Sequence, residues 1–149
     1  MRKAAILLAL LLMADAAQAQ LPGLRRRGPA QPTQPVLQGI DALRADFAAQ
    51  AGGTMVYFGA ESVVIGAPAK AALSLQAAWL RRHPEVVVRI EGYGDSLDTR
   101  DHALAIGARR AEEARNYLLL LGVPSAQVST TSWGKERPGL GRAVTVLIR

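Results

Sequence analysis

Residues 92–100 read Gly-Tyr-Gly-Asp-Ser-Leu-Asp-Thr-Arg, and residues 104–111 read Leu-Ala-Ile-Gly-Ala-Arg-Arg-Ala. The first stretch follows a run of β-branched residues and contains two glycines, which indicates a strand that ends in a sharp turn. The second stretch has the apolar spacing of a helix. Asp95 therefore lies on the turn, and Arg110 lies on the helix fifteen residues later. Together these side chains can hold a small zwitterion, with the acid against its ammonium and the arginine against its carboxylate.

Both residues also have simpler structural interpretations. Asp95 can accept hydrogen bonds from its own backbone in an Asx turn, and residue chemistry alone favours that interpretation. Arg110 can form a surface ion pair with Glu113, three residues further along the helix. Its neighbour Arg109 is the arginine that we expect to be solvated.

The segments around this stretch alternate between helical and extended patterns. Apolar spacing predicts helices over 39–51, over 68–82 and from Asp98 or Thr99 to residue 121, where Gly122 and Pro124 stop the last one. Content of β-branched and aromatic residues predicts strands over 54–58, 86–90, 128–133 and 142–148. This order predicts an α+β sandwich, in which a four-stranded mixed sheet carries two main helices on one face, together with a short N-terminal helix.

The long helix shows how the core is expected to form. Apolar or small residues recur at three-four spacing and define one face: Leu104, Gly107, Ala111, Ala114, Leu118 and Leu121. Because the middle positions of this face are small, the helix axis is expected to lie close to the sheet.

The N-terminal quarter of the chain, residues 1–36, predicts an exported protein rather than part of the folded domain. Residues 1–19 have a basic start, an apolar run of eleven residues and a small-x-small cleavage pattern, so they form a predicted signal peptide. Residues 20–36 are rich in proline, glutamine and arginine and predict a disordered linker. One domain remains over 37–149. We expect a periplasmic protein with no transmembrane segment after signal cleavage.

Composition excludes several classes of function. The sequence has no cysteine, so disulfides, thiol nucleophiles and lipid attachment at a cysteine are excluded. The net charge is +6 for the chain but only +2 from Leu37 onward, which disfavours a nucleic-acid partner. His83 and His102 are far apart and lack a metal-ligand spacing, so we expect no metal site and no cofactor. We find no catalytic constellation and expect no enzymatic activity.

The order of several short motifs resembles the OmpA-like domain family, which includes the domains of peptidoglycan-associated lipoproteins. The resemblance covers roughly residues 55–148 and rests on six segments in the family's order: 56–58, 90–95, 104–111, 117–123, 132–138 and 142–144. It implies a non-catalytic domain that binds the diaminopimelate-containing stem peptide of peptidoglycan. It also implies that Asp95 meets the ligand's ammonium and Arg110 a carboxylate. Tyr93 and Thr99 complete the predicted ligand-binding set.

The chain departs from the family pattern at several positions. Tyr93 stands where the family usually has histidine or a similar polar residue, and Ala103 replaces an asparagine. The loop before the last strand is shortened to residues 138–141. These changes remove polar contacts from the implied pocket. They leave open an alternative, in which the domain has lost wall binding and acts as a protein-interaction module in the envelope.

Overall fold

The structure, a computed structural model, describes residues 39–137 and 142–149. The chain divides into two units, residues 1–35 and 36–149, and every described residue belongs to the second unit. The predicted signal peptide and linker lie outside the described residues, as does the shortened loop over 138–141. The predictions made for those segments therefore stay predictions.

The described residues contain the helices that the apolar spacing predicts. Helix α1 spans Ile40–Gln50, α2 spans Ala67–Arg82 and α3 spans Arg100–Leu120, and a 3-10 turn follows at Ser125–Gln127. Gly122 has a φ of 88° just beyond α3, which confirms the predicted left-handed stop. None of these described helices is both long and apolar enough to span a lipid bilayer.

Four strands form one mixed sheet. Strand β1 spans Met55–Tyr57, β2 spans Val88–Tyr93, β3 spans Val128–Gly134 and β4 spans Arg142–Leu147. Their order across the sheet is β1-β4-β2-β3. Strand β2 is parallel to β3 and antiparallel to β4, and β1 is antiparallel to β4. The predicted α+β class and four-stranded mixed sheet are confirmed.

Strand β2 begins two residues later than predicted and continues further. Gly92 and Tyr93 pair with Ser132 and Gly134 of β3, with a bulge between the two pairs. Glycine is unfavourable within strands, so the sequence predicted that this strand ends at Ile90. The strand continues through the glycine because its backbone is paired on both sides and covered by a helix.

The hydrophobic core lies between the sheet and helices α2 and α3. Its fully buried side chains include Leu73 and Leu80 of α2, Ile90 of β2 and Leu118 of α3. Helix α1 closes one edge, where the ring of Phe47 meets that of Trp79 edge-on at 5.1 Å between centroids. The two main helices therefore pack on one face of the sheet, as predicted.

Helix α3 lies unusually close to β2 and to the turn that follows it. A Cβ atom placed on Gly92 would lie 1.8 Å from the carbonyl oxygen of Gly107. A Cβ atom on Gly94 would lie 2.4 Å from the carbonyl oxygen of Ala103. The two glycines of the quoted stretch, which were expected to allow a sharp turn, are therefore also needed for the close approach of the helix.

The predicted face of α3 is correct in its middle and wrong at its start. Ala111, Ala114 and Leu118 are fully buried, but the Leu104 side chain is 46% exposed. The buried side instead includes Ala103, Ile106 and Arg110 among its residues. The predicted stripe missed this side because it was drawn through apolar and small residues that start at Leu104.

Replacing Gly92 by alanine is expected to destabilise the fold. The new methyl group would overlap the backbone of α3, so we expect a loss of at least about 2 kcal/mol in the free energy of unfolding. Urea denaturation followed by circular dichroism measures it. Gly59→Ala is the matched control, because its Cβ atom would meet Ser62 at an ordinary 3.5 Å. Equal stability of the two variants would contradict the close packing of α3.

Candidate functional site

The candidate site lies where β2 ends and α3 begins. Asp95 follows the last residue of β2 by two positions, and its side chain is 27% exposed. One carboxylate oxygen lies 3.4 Å from Nη1 of Arg110, and the other accepts a hydrogen bond from the backbone N–H of Glu61 at 3.3 Å. The sequence expectation that Asp95 and Arg110 lie together is therefore correct.

Arg110 is completely buried beneath the loop that joins β1 to α2. Its guanidinium donates to the backbone carbonyl oxygens of Ser62 at 2.9 Å, Tyr93 at 2.8 Å and Gly59 at 3.0 Å. The guanidinium carbon also lies 5.8 Å from the centre of the Phe58 ring. The alternative of a surface pair with Glu113 is wrong, because the side chain points into the fold, whereas Arg109 is exposed as expected.

The burial of Arg110 restricts the access of a ligand to its guanidinium. Each of its three guanidinium nitrogens already donates to the chain itself. In this conformation a ligand carboxylate reaches the guanidinium only if the 59–62 loop moves away. The direct contact of Arg110 with a carboxylate stays a prediction, while its contacts with the loop and with Asp95 are observed.

Tyr93 lies on the other face of the sheet, away from α3. Its hydroxyl donates to a carboxylate oxygen of Glu91 at 2.9 Å, and its side chain is buried. Burial, followed by the hydrogen bond to Glu91, raises the pKa of Tyr93 above its usual value. The alternation of β2 thus turns the side chain of Tyr93 to the face that carries Glu91. Only the backbone carbonyl of Tyr93, which accepts from Arg110, belongs to the site.

Glu91 is buried on that same face and pairs with two partly exposed arginines. Arg89 donates to it at 2.9 Å, and Arg137 lies 3.8 Å away with its guanidinium stacked over the Trp133 ring. Burial alone would raise the pKa of Glu91, but the hydrogen bonds from Arg89 and Tyr93 outweigh it, and the pKa lies below its usual value.

Thr99 caps α3 and takes no other observed role. Its hydroxyl oxygen accepts a hydrogen bond from the backbone N–H of His102 at 3.3 Å, as serine and threonine do at helix N-termini. Thr99 rather than Asp98 is therefore the cap. The free amides and positive dipole end of α3 lie beside the turn that carries Asp95.

Three ionisable side chains form a cluster beside Asp95 that was not predicted from the sequence: Glu61, Asp98 and His102. Nε2 of His102 lies 3.0 Å from Glu61 and 3.8 Å from Asp98. The hydrogen bond with Glu61 and the charge of Asp98 raise the pKa of His102. Burial, with the charge of Glu61, raises the pKa of Asp98. Spacing in the sequence offered no signal, because Glu61 comes from the loop between β1 and α2.

The turn after β3 also contacts the start of α3 and the turn that precedes it. Nζ of Lys135 donates to the backbone carbonyl of Asp98 at 2.6 Å, and Arg100 pairs with Glu136 at 2.7 Å. Lys135 is thus bound to the turn before α3, and Arg100, at the start of α3, is bound to Glu136.

Comparison with known proteins places this geometry in a family. Residues 57–144, more than half of the chain, match the profile of the OmpA family, and the chain belongs to this family. Similar proteins include the peptidoglycan-associated lipoprotein of Rhizobium meliloti, 44% identical over 86 residues, which are 58% of this chain and 49% of that protein. That of Pseudomonas aeruginosa is 38% identical over 99 residues, which are 66% of this chain and 58% of that protein. The chain spans about half the length of the curated relatives it matches.

Solved structures agree on the fold. The crystal structure of the peptidoglycan-associated lipoprotein from Burkholderia pseudomallei has a TM-score of 0.62 and 34% identity, over 65% of this chain and 92% of that one. The periplasmic domain of Helicobacter pylori MotB has a TM-score of 0.53 at 23% identity, over 62% of this chain and 72% of that one, and shows the fold alone. The predicted OmpA-like fold is confirmed, and the family supports the prediction that the domain is not an enzyme.

Arg110→Lys is expected to loosen the 59–62 loop and to destabilise the domain. A lysine ammonium cannot reproduce the planar fork that reaches three carbonyl oxygens and Asp95, so we expect a loss of at least about 2 kcal/mol. Chemical denaturation measures it, and Arg109→Lys, at the exposed neighbouring position, is the matched control. If Arg110→Lys is as stable as the wild type, the buried hydrogen bonds of Arg110 contribute nothing to the free energy of unfolding.

The ion pair of Glu91 is expected to make stability depend on pH in the acid range. Because the folded-state pKa is lowered, its contribution is complete above the usual value of 4.5 and is lost as the pH falls through the folded-state pKa. The difference in unfolding free energy between the wild type and Glu91→Gln should therefore shrink on acidification. A difference that stays constant across this range would contradict the lowered pKa.

Proposed function

We propose that this domain binds peptidoglycan in the periplasm, and that Asp95 accepts an ammonium group of the diaminopimelate stem peptide. The observation that carries the proposal is the state of Asp95 itself. Its carboxylate is fixed by Arg110 and by the backbone N–H of Glu61, yet 27% of the side chain faces solvent. A fixed, partly exposed carboxylate can receive a charged hydrogen bond without losing much conformational freedom.

The surroundings of Asp95 favour a cationic group. Glu61 and Asp98 lie close by, so three carboxylates line the rim. The nearest guanidinium, that of Arg110, is buried and directed inward. A ligand ammonium that meets Asp95 therefore approaches three carboxylates, whose negative charge Arg110 and His102 offset in part.

The carboxylate end of the ligand has two candidate partners. The first candidate is the N-terminus of α3, which follows the turn that carries Asp95, because the start of a helix favours negative charge. Arg110 is the second partner, and it becomes available only if the 59–62 loop opens. We therefore propose that Arg110 is primarily a positioning residue for Asp95 and the loop, and that the amides meet the carboxylate first.

The relatives lend independent support to the proposal. Proteins named peptidoglycan-associated lipoproteins share 38–44% identity with this chain over 85–99 residues. A role at the bacterial envelope follows from membership of the family, and the predicted signal peptide would deliver the domain to the periplasm.

A second candidate function is that of a protein-interaction module in the envelope. The burial of Arg110 favours this second function. A domain that bound the ammonium of diaminopimelate through Asp95 and its carboxylate through Arg110 would need an accessible guanidinium. Ala103, at the position of the family's asparagine, is also fully buried against Gly94 and offers no polar contact.

Asp95→Asn is expected to weaken binding to peptidoglycan while leaving the fold intact. A hydrogen bond to a charged group contributes about 1.5–3 kcal/mol, so the affinity should fall by about 10- to 100-fold. Co-sedimentation of residues 20–149 with isolated Gram-negative peptidoglycan measures it. Asp101→Asn is the matched control, because it removes an equal charge from the exposed first turn of α3.

The outcome separates the two candidate functions. Loss of sedimentation in Asp95→Asn alone supports recognition through Asp95. If the wild type and both variants stay in the supernatant with native circular dichroism, wall binding is contradicted and the protein-interaction role takes its place. If all three sediment equally, the domain binds the wall at another surface.

A further inference from the structure

Three ligand-type side chains from separate parts of the chain meet at the start of α3. Glu61 comes from the loop after β1, Asp98 from the turn after β2, and His102 from the first turn of α3. One donor atom from each lies within 4.8 Å of the other two. The set combines one imidazole with two carboxylates, so it is not simply an acidic patch.

The spacing of the three donor atoms fits a small metal ion. Bonds of about 2.0–2.2 Å in a tetrahedral site place neighbouring ligand atoms roughly 3.3–3.6 Å apart. The observed separations from Nε2 of His102, 3.0 Å to Glu61 and 3.8 Å to Asp98, bracket this range. Small rotations of the partly exposed side chains would bring all three atoms onto one ion.

Asp98 supplies an independent reason to expect a cation. Its Oδ2 atom is buried and has no hydrogen-bond partner among the described residues, and its side chain is only 17% exposed. A buried carboxylate oxygen without a partner is costly. Nε2 of His102 lies 3.8 Å from this oxygen, beyond hydrogen-bond distance, and Lys135 donates to the backbone carbonyl of Asp98 instead.

We propose that Glu61, Asp98 and His102 form a binding site for a divalent transition-metal ion of the Zn²⁺ class, with water completing the coordination. One imidazole and two carboxylates suit such an ion. Calcium, by contrast, takes six to eight oxygen ligands, more than the three side chains provide. This inference does not rest on the proposed function, because metal binding is measured without peptidoglycan.

The test is calorimetric titration of residues 20–149 with Zn²⁺ at neutral pH. We expect one Zn²⁺ per chain and a thermal midpoint that rises with the Zn²⁺ concentration, because an ion that binds only the folded state stabilises it. Loss of a second-sphere partner costs 10–100-fold in metal affinity. Removal of a direct ligand in His102→Gln or Glu61→Gln should therefore weaken binding by at least about 100-fold.

Two controls make the titration specific. Asp98→Asn is compared with Asp101→Asn, which removes the same charge from the next turn but leaves the three ligands in place. His102→Gln is compared with His83→Gln, because His83 pairs with Glu85 in a different part of the fold. Each variant is first checked by circular dichroism, and Glu61→Gln, in an exposed loop, keeps the test valid if His102→Gln does not fold.

Wild-type protein that binds no Zn²⁺, or that binds it no more tightly than folded His102→Gln and Glu61→Gln, would rule out this site. Equal loss of binding in His83→Gln or Asp101→Asn would show that the ion is held elsewhere. A failed sedimentation assay leaves this result unaffected, and a failed titration leaves the role of Asp95 unaffected.

Discussion

The buried guanidinium of Arg110 holds together the parts of the structure on which the site depends. It joins helix α3 to the last carbonyl of β2, to two carbonyls of the 59–62 loop and to Asp95. A charge taken out of water costs several kcal/mol unless its hydrogen bonds are replaced. The chain replaces them with backbone carbonyls from two otherwise separate segments. The position of the loop, and through it the position of Glu61, therefore follows from the burial of one side chain.

That burial requires α3 to approach the sheet closely, and glycine makes this approach possible. Gly92 and Gly107 bring the helix backbone against β2, and Gly94 does the same for the turn. With a side chain at any of these positions the helix axis would move outward, and Arg110 would no longer reach the carbonyl of Tyr93. The glycines, the helix and the guanidinium thus form one structural unit, and the exposed edge of that unit is the carboxylate of Asp95.

The order and type of the elements could be predicted because they depend on local patterns. Apolar spacing located α1, α2 and α3 to within two residues, and Gly122 marked the end of α3. Strand β2 was predicted to end too early, because a glycine within a strand is locally typical of a turn. The nearness of Asp95 and Arg110 was predicted from the resemblance, but the burial of Arg110 was not, because an arginine on a helix is usually solvated. Tyr93 was included in the predicted ligand-binding set, but the alternation of β2 turns its side chain to Glu91.

The sequence by itself determined the α+β class, the element order, the small face of α3 and the place of Asp95 after β2, since each follows from residues that are close along the chain. Only the tertiary structure decided which groups surround Asp95. Glu61 lies 41 residues from His102 in sequence yet forms a hydrogen bond with it, and Arg110 bonds to a carbonyl 51 residues away. Such contacts depend on how a loop closes over a helix. That closure is set by packing and by the need to satisfy buried polar groups, which no local pattern encodes.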